Sequence, residues 1–332
     1  LAWVTPWNNR GYDIVALMPV LTSSKTSKIF RGKFDYVAPC WYQLLRTSTK
    51  DGAEWQLRGD HDVDNGWMLD VREPVEGGRR AKIVPRVIFE DVDREGWEAF
   101  SRSEEESAQV TELLLSALNT HSFDGFIVEA PVPLMYIPVF LSHLAHVIHA
   151  QNGLLMCTVQ VYHREHPQIE MLDSLFTSNH MEALLQVVDR VALVTYDYST
   201  SIGKRGPNSP AKWIEEAVKR ICPSNDECRK RLLLGVNCYG QKFDHAGASA
   251  VLGPQYLEIL EKYNPAIVWN SEFEEHVTRV PNVAEVWYPS PLFLENRVGL
   301  AEDLGTGIHF WEVGQGLDVF FVSFAFGFDF GT

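Results

Sequence analysis

Basic residues are scarce. The chain of 332 residues has 29 Lys and Arg against 44 Asp and Glu, a formal net charge of −15. That balance repels polyphosphate and anionic headgroups, so it argues against nucleic-acid binding and for a partner that is neutral or carries positive groups. Cysteine is also rare. Five residues are too few for a disulfide scaffold, and none form the CxxC pairs of a zinc site. Cys40, Cys157 and Cys238 lie in apolar runs and read as buried thiols. Cys222 and Cys228 bracket a loop-like Pro223-Ser224-Asn225-Asp226-Glu227; they either bridge in an oxidising compartment or remain two loop thiols.

Long apolar runs are missing as well. From Ala130 to His163 there is no Asp, Glu, Lys or Arg, but Pro131, Pro133, Pro138 and Gln151-Asn152-Gly153 interrupt the stretch, so no membrane insertion is expected. The start at Leu1 rather than methionine is compatible with a removed leader. There is no glycine-rich phosphate loop before a helix, no GxSxG elbow and no nucleophilic cysteine setting, which removes support for phosphate-binding enzymes and serine hydrolases. His143, His146 and His149 recur every third residue on one helical stretch. The last is turned well round from the first and no carboxylate accompanies them, so surface or packing roles are expected and no metal or cofactor is assigned.

Present instead are strand-like runs, most followed by a helical stretch: Ala2–Pro6, Asp35–Leu44, Lys82–Phe89, Phe123–Ala130, Leu154–Val161, Val191–Tyr196, Leu232–Cys238 and Gly307–Trp311. Ser103 with Glu106 reads as a capping box, Ser209-Pro210 and Ser290-Pro291 as helix starts, and Gly305 as a helix stop. Alternating units with nearly all-apolar strands predict an α/β fold, a (β/α)₈ barrel spanning 1–332 as a single domain. The long step between the last two runs predicts a small α+β insertion within 239–305, in which Ala266–Asn270, Phe273–Val280 and Ala284–Tyr288 read as antiparallel strands over the C-terminal face.

Active sites of such barrels lie where strands end. Aromatics collect there: Trp7 after the first run, Trp41 and Tyr42 in the second, Tyr196 and Tyr198 after the sixth, Tyr239 after the seventh, Trp311 at the eighth, with Trp269 and Trp287 on the insertion. Flat rings stack on the C–H faces of sugars, and neighbouring carboxylates and amides accept hydroxyl hydrogen bonds, so an oligosaccharide cleft is predicted. For any one ring, structural filling of the rim is nearly as good a reading.

Phe123-Asp124-Gly125-Phe126-Ile127-Val128-Glu129, Thr195-Tyr196-Asp197-Tyr198, Gly235-Val236-Asn237-Cys238-Tyr239-Gly240 and Trp311-Glu312-Val313-Gly314-Gln315-Gly316-Leu317-Asp318 resemble the motifs of the fourth, sixth, seventh and eighth strands in glycoside hydrolase family 18, the chitinases and chitinase-like lectins. Val4-Thr5-Pro6-Trp7-Asn8, His61 to Met68 and Val84 to Asp91 add to that resemblance. Active members carry Asp-Gly-x-Asp-x-Asp-x-Glu on strand four, whose last Glu protonates the glycosidic oxygen while the substrate acetamide attacks. Aligned on Asp124-Gly125, this chain has Ile127, Glu129 and Pro131 at the last three motif positions. Alternation turns all three toward the barrel axis.

Glu129 therefore lies two residues deeper than a family acid, roughly 6–7 Å along the strand, beyond hydrogen-bond reach of the proton's destination. It is expected to bond Tyr196 or Asp197, to touch ligand, or to be a satisfied buried carboxyl. Tyr196 and Asp197 match residues that hold the acetamide in active relatives. The resemblance thus implies a secreted or lysosomal, non-hydrolytic lectin for chitooligosaccharide or another glycan. Its predicted ligand-binding residues are Trp7, Trp41, Glu129, Tyr196, Asp197, Tyr198, Asn237, Tyr239, Trp311 and Glu312, with no catalytic residue and no metal. It also implies a scavenger-receptor partner of the stabilin type. Hydrolysis by a rearranged acid, or a protein-interaction module with a vestigial cleft, are the alternatives.

Overall fold

The computed structural model describes residues 1–5, 28, 30–50, 52–130, 137–223, 226–317 and 319–322. Its strands, in chain order, begin with β1 (Ala2–Val4), β2 (Tyr36–Pro39), β3 (Tyr42–Thr49), β4 (Gly52–Arg58), β5 (Lys82–Ile83) and β6 (Arg86–Glu90). There follow β7 (Gly125–Glu129), β8 (Leu154–Gln160), β9 (Arg190–Val194) and β10 (Leu232–Asn237). The insertion holds β11 (Gly240–Asp244), β12 (Gly247–Val251), β13 (Ile267–Asn270), β14 (Glu275–Val280) and β15 (Ala284–Tyr288), and β16 (Gly307–Trp311) completes the barrel.

The main sheet runs β4-β3-β6-β7-β8-β9-β10-β16-β1-β2-β5. Two breaks explain how this order closes. Strand two of the barrel is β2 continued by β3 past a bend at Cys40-Trp41, and strand three is β5 continued by β6 past Val84-Pro85. β2 pairs with β5 and β3 with β6, both parallel, so the seam is shut by two half-strands on each side. Proline has no N–H to give the ladder, which accounts for the break at Pro85, although its carbonyl still accepts from Ile127 N–H at 3.0 Å. This is the (β/α)₈ barrel expected from the alternating runs.

Two apolar layers hold it. Trp3, Ala38, Cys40, Val84, Ile127, Met156, Ala192 and Leu233 fill the barrel, while a larger cluster lies between the strands and the surrounding helices. The helix Ala211–Ile221 shows the latter packing: Trp213, Ile214, Ala217, Val218 and Ile221 are buried on one face, as its periodicity predicts. Cys222 and Cys228 are joined as a disulfide, Cα atoms 5.9 Å apart. Among the described residues no helix is long and apolar enough to cross a membrane.

Local devices differ from the sequence reading in three places. Ser103 accepts from Glu106 N–H at 3.1 Å, but the Glu106 side chain does not complete a box; it accepts from Arg46 at 2.8 and 2.9 Å and from Trp55 Nε1 at 2.8 Å. The part-buried Arg46 guanidinium on β3 and the Trp55 indole on β4 offer stronger, charge-assisted bonds than the cap. The β3–β4 hairpin itself, paired antiparallel from Gln43 opposite Arg58 to Thr49 opposite Gly52, was not anticipated. Ser209 does not cap the helix it precedes; its hydroxyl donates to Thr195 O at 2.5 Å. Ser290 does cap, accepting from Phe293 N–H at 3.1 Å, and Gly305 ends that helix, Pro291–Leu304, at φ 69°.

The insertion is a five-stranded antiparallel sheet, β12-β11-β15-β14-β13, with a helix at Gly253–Tyr263. Its three expected strands are present at 267–270, 275–280 and 284–288. The hairpin β11–β12 adds two more.

Candidate functional site

Alternation along β7 puts Ile127 in the barrel interior and carries Glu129, half-exposed, to the same side at the strand's end. Its partner is neither Tyr196 nor Asp197. Arg86, on the neighbouring β6 and only 9% exposed, donates from Nη1 to Glu129 Oε2 at 3.1 Å. The same guanidinium lies over the ring of Trp311, 5.8 Å from its centroid, within cation–π range. Arg86 Nε is buried with no hydrogen-bond partner.

Trp311, half-buried at the end of β16, packs edge-on against Trp3 at 5.4 Å. Its peptide to Glu312 is cis. Glu312 is fully buried, and its Oε2 accepts from Gly314 N–H at 3.2 Å. Below lies His309, which accepts from Trp3 Nε1 at 2.9 Å and reaches Leu193 O through Nε2 at 2.8 Å. Those two bonds define a neutral ring with its proton on Nε2, and burial pushes its pKa down to about 3.

Tyr196 follows β9 and meets His309 and Tyr239 edge-on, ring centroids 6.2 and 6.3 Å away. Burial, then the charges of Glu129 and Asp197, hold its phenol far above the usual range, so it remains a hydroxyl donor. Gly235 on β10 makes room for it. A Cβ there would stand 2.5 Å from Leu193 O, 2.9 Å from the Tyr196 ring and 3.0 Å from His309 Nε2. Asn237 on β10, fully buried, donates to Tyr239 O at 2.7 Å, and its Oδ1 has no partner.

Asp197 accepts from Tyr239 OH at 2.5 Å and from Gln241 Nε2 at 2.8 Å. Its backbone is left-handed, φ 61°, a conformation costing a non-glycine residue on the order of 1–3 kcal/mol. The turn also explains Tyr198. Alternation would return it to the axis, but after Asp197 it faces the other way and packs between His163 at 4.0 Å and Trp213 at 5.0 Å.

Glu129, Tyr196, Asp197, Asn237, Tyr239, Trp311 and Glu312 thus gather at the C-terminal end of the barrel. Tyr198 and Trp41 do not join them. Because Ala38 and Cys40 face inward, Trp41 faces out, 4% exposed against Trp67 and Phe123. Tyr42 also faces out, bonding Asp60 at 2.9 Å. On the insertion, Trp287 is buried against Phe273, and Trp269 packs on His276. Trp7 and Pro131 lie outside the described residues. His149 bonds Asp189 at 3.0 Å, and Asp64 caps a helix through Trp67 N–H at 2.8 Å.

Three contributors were missed. Arg86 is two residues beyond the inward Val84, so alternation alone could have found it. Gln241 stands two beyond Tyr239 and was open to the same count. Asn208, which accepts from Asp197 N–H at 2.7 Å, left no local signal.

The chain superimposes on a chitinase from Chromobacterium violaceum with a TM-score of 0.72, at 16% identity over 97% of this chain and 96% of that one. A family 18 chitinase from Cycas revoluta, solved in complex with (GlcNAc)3, gives 0.71 at 13% identity, with 96% of both chains covered. The chain has a family 18 chitinase-like fold. The Bacillus cereus spore cortex-lytic enzyme SleL shares it, with a TM-score of 0.70 and 14% identity over 97% of this chain and 72% of that one. No family model matches the sequence.

Proposed function

We propose that the protein is a chitinase-like lectin that binds oligosaccharide at the C-terminal face of its barrel without hydrolysing it. The observation that carries this reading is the state of strand four. Ile127, inward on β7, has no proton to give and Glu129 is engaged by Arg86 at 3.1 Å, while the motif aligned on Asp124-Gly125 puts Pro131 at the position of the family acid. Tyr196 and Asp197 resemble the residues that hold the acetamide in active relatives, and Tyr239 bonds Asp197 at 2.5 Å. Binding without turnover is what such a half-site supports.

The finer resemblance is to chitinase domain-containing protein 1, also called stabilin-1-interacting chitinase-like protein. A secreted or lysosomal setting and a stabilin-type receptor belong to the same proposal; the Cys222–Cys228 disulfide supports an oxidising route.

The test pairs turnover with binding. A fluorogenic chitobioside and chitohexaose are offered to wild type and Glu129→Gln across pH, and chitohexaose binding is measured by calorimetry. Binding with no turnover above the Glu129→Gln background is expected; loss of a positioned general acid typically removes 10²–10⁴-fold of rate. Glu129-dependent turnover would establish the rearranged acid instead, and neither turnover nor binding would leave an interaction module.

A further inference from the structure

Glu275 opens β14 and is 3% exposed, a carboxylate sealed between the insertion and the barrel. Its Oε2 accepts from Asn208 N–H at 3.0 Å and its Oε1 from Ser209 N–H at 2.7 Å. Arg297, 1% exposed on the helix Pro291–Leu304, approaches the same segment and donates to Ser209 O from Nε at 3.0 Å and Nη2 at 2.7 Å. One buried anion therefore holds the N–H of Ser209 and one buried cation its C=O. Burying two charges is costly, so this pair calls for an account beyond packing.

The chain of contacts continues to the site. Asn208 Oδ1 accepts from Asp197 N–H at 2.7 Å, and Asn208 O accepts from Tyr198 N–H at 2.9 Å. Asn208 thus grips the backbone on both sides of the left-handed Asp197. Such a conformation persists only where surroundings impose it. We infer that Glu275 is a positioning residue for the saccharide site, fixing Asn208 and, through it, the orientation of Asp197 toward Tyr239 and Gln241. This rests on the lectin reading for the identity of the ligand, but not for the mechanical link.

Protonation tunes the link. Burial pushes the Glu275 carboxyl up to about 7, opposed by the charge of Arg297 and the two N–H donors. Arg297 is the charged group facing it; Glu274 Oε2 stands 3.7 Å from Arg297 Nη1, and residues 207–209 carry no titratable side chain. His276, the next residue along the strand, bonds Ser290 Oγ at 2.8 Å. Above that pH both carboxylate oxygens accept. As pH falls through it, one oxygen gains a hydrogen and becomes a weak acceptor, so the hold on Asn208 and Ser209 is full on the alkaline side and loosened on the acid side.

Hydrogen exchange on the whole protein reads the link without ligand. Peptides covering 195–201, corrected for intrinsic rates, should lose about tenfold of their protection between about pH 8.5 and about pH 5.5 in wild type. Glu275→Gln, which keeps one acceptor and adds a donor, should show the low protection at both. Asn208→Ala should do the same while retaining the Glu275–Ser209 bond. Chitohexaose affinity by calorimetry should fall in parallel. Equal exchange of 195–201 in wild type at both pH values and in both variants would overturn the inference. Absence of chitohexaose binding throughout would remove the lectin reading, while the exchange result would still decide the role of Glu275.

Discussion

Replacing Arg86 by Met should reveal how the mouth of the barrel is held. The substitution keeps most of the apolar stem and removes the cation that bonds Glu129 at 3.1 Å and lies 5.8 Å from the Trp311 centroid. Breaking a buried ion pair from one side costs about 3–5 kcal/mol, most of it the charge left behind. Here the Glu129 side chain is 34% exposed, so water recovers part, and a loss of about 1–3 kcal/mol is expected. The reverse change, Glu129→Leu, strands the better buried Arg86, 11% exposed at the side chain, and should cost more, about 2–4 kcal/mol. The double variant leaves no charge behind and should recover most of either loss, giving a coupling of about 1–3 kcal/mol. Urea unfolding of the four proteins at neutral pH measures the cycle. A loss under about 0.5 kcal/mol for Arg86→Met, or a double variant as unstable as Glu129→Leu, would refute the reasoning.

Two further outcomes follow from the site. Trp311→Ala should weaken chitohexaose binding by about 1–3 kcal/mol and also lower the melting temperature, since Trp3 and Arg86 both pack on that ring; calorimetry beside thermal melts would show unchanged affinity if the ring only plugs the barrel. His309, pushed down to about 3 from an ordinary 6.5, takes its proton in the unfolded chain first, so its contribution is complete above 6.5 and is lost as pH falls toward 3. Glu275 acts in the opposite sense, losing stability as pH rises from 4.5 to about 7. Unfolding free energies from urea at about pH 7 and about pH 5 should therefore fall less with acid in His309→Gln than in wild type, by about 2 kcal/mol across that interval; parallel curves would remove His309 from the account.

Periodicity carried most of the barrel because most of its strands are largely apolar on both faces and its helices on one, and those patterns are local. The site was legible only where alternation stayed unbroken. Glu129 was placed by that count, and Tyr196 and Trp311 by standing at strand ends in motifs that carry the resemblance; Tyr198 turned away when the chain bent at Asp197, and Trp41 was taken for a rim residue although Cys40 before it faces inward. The hairpin after strand two had a turn signal in Asp51-Gly52, but its strands mix polar and apolar residues and resemble a loop. Partnerships such as Arg86 with Glu129, 43 residues apart, or Glu275 with Asn208, 67 apart, have no local trace. They arise from which strands become neighbours.

A closed barrel offers no strand edge to another molecule, so among the described residues the open edges lie elsewhere, on β4 and on the two flanks of the insertion sheet. β4 carries exposed Glu54 and Gln56 along its length, the polar dressing that discourages edge-to-edge pairing. β13 is dressed differently. Ile267 and Val268 are 51% and 50% exposed on that flank, with no charge on the strand. Colloidal behaviour is thereby divided between the two parts: the net charge of −15 favours dispersal, whereas among the described residues the β13 flank of the insertion is an edge that carries no charge to disfavour strand pairing.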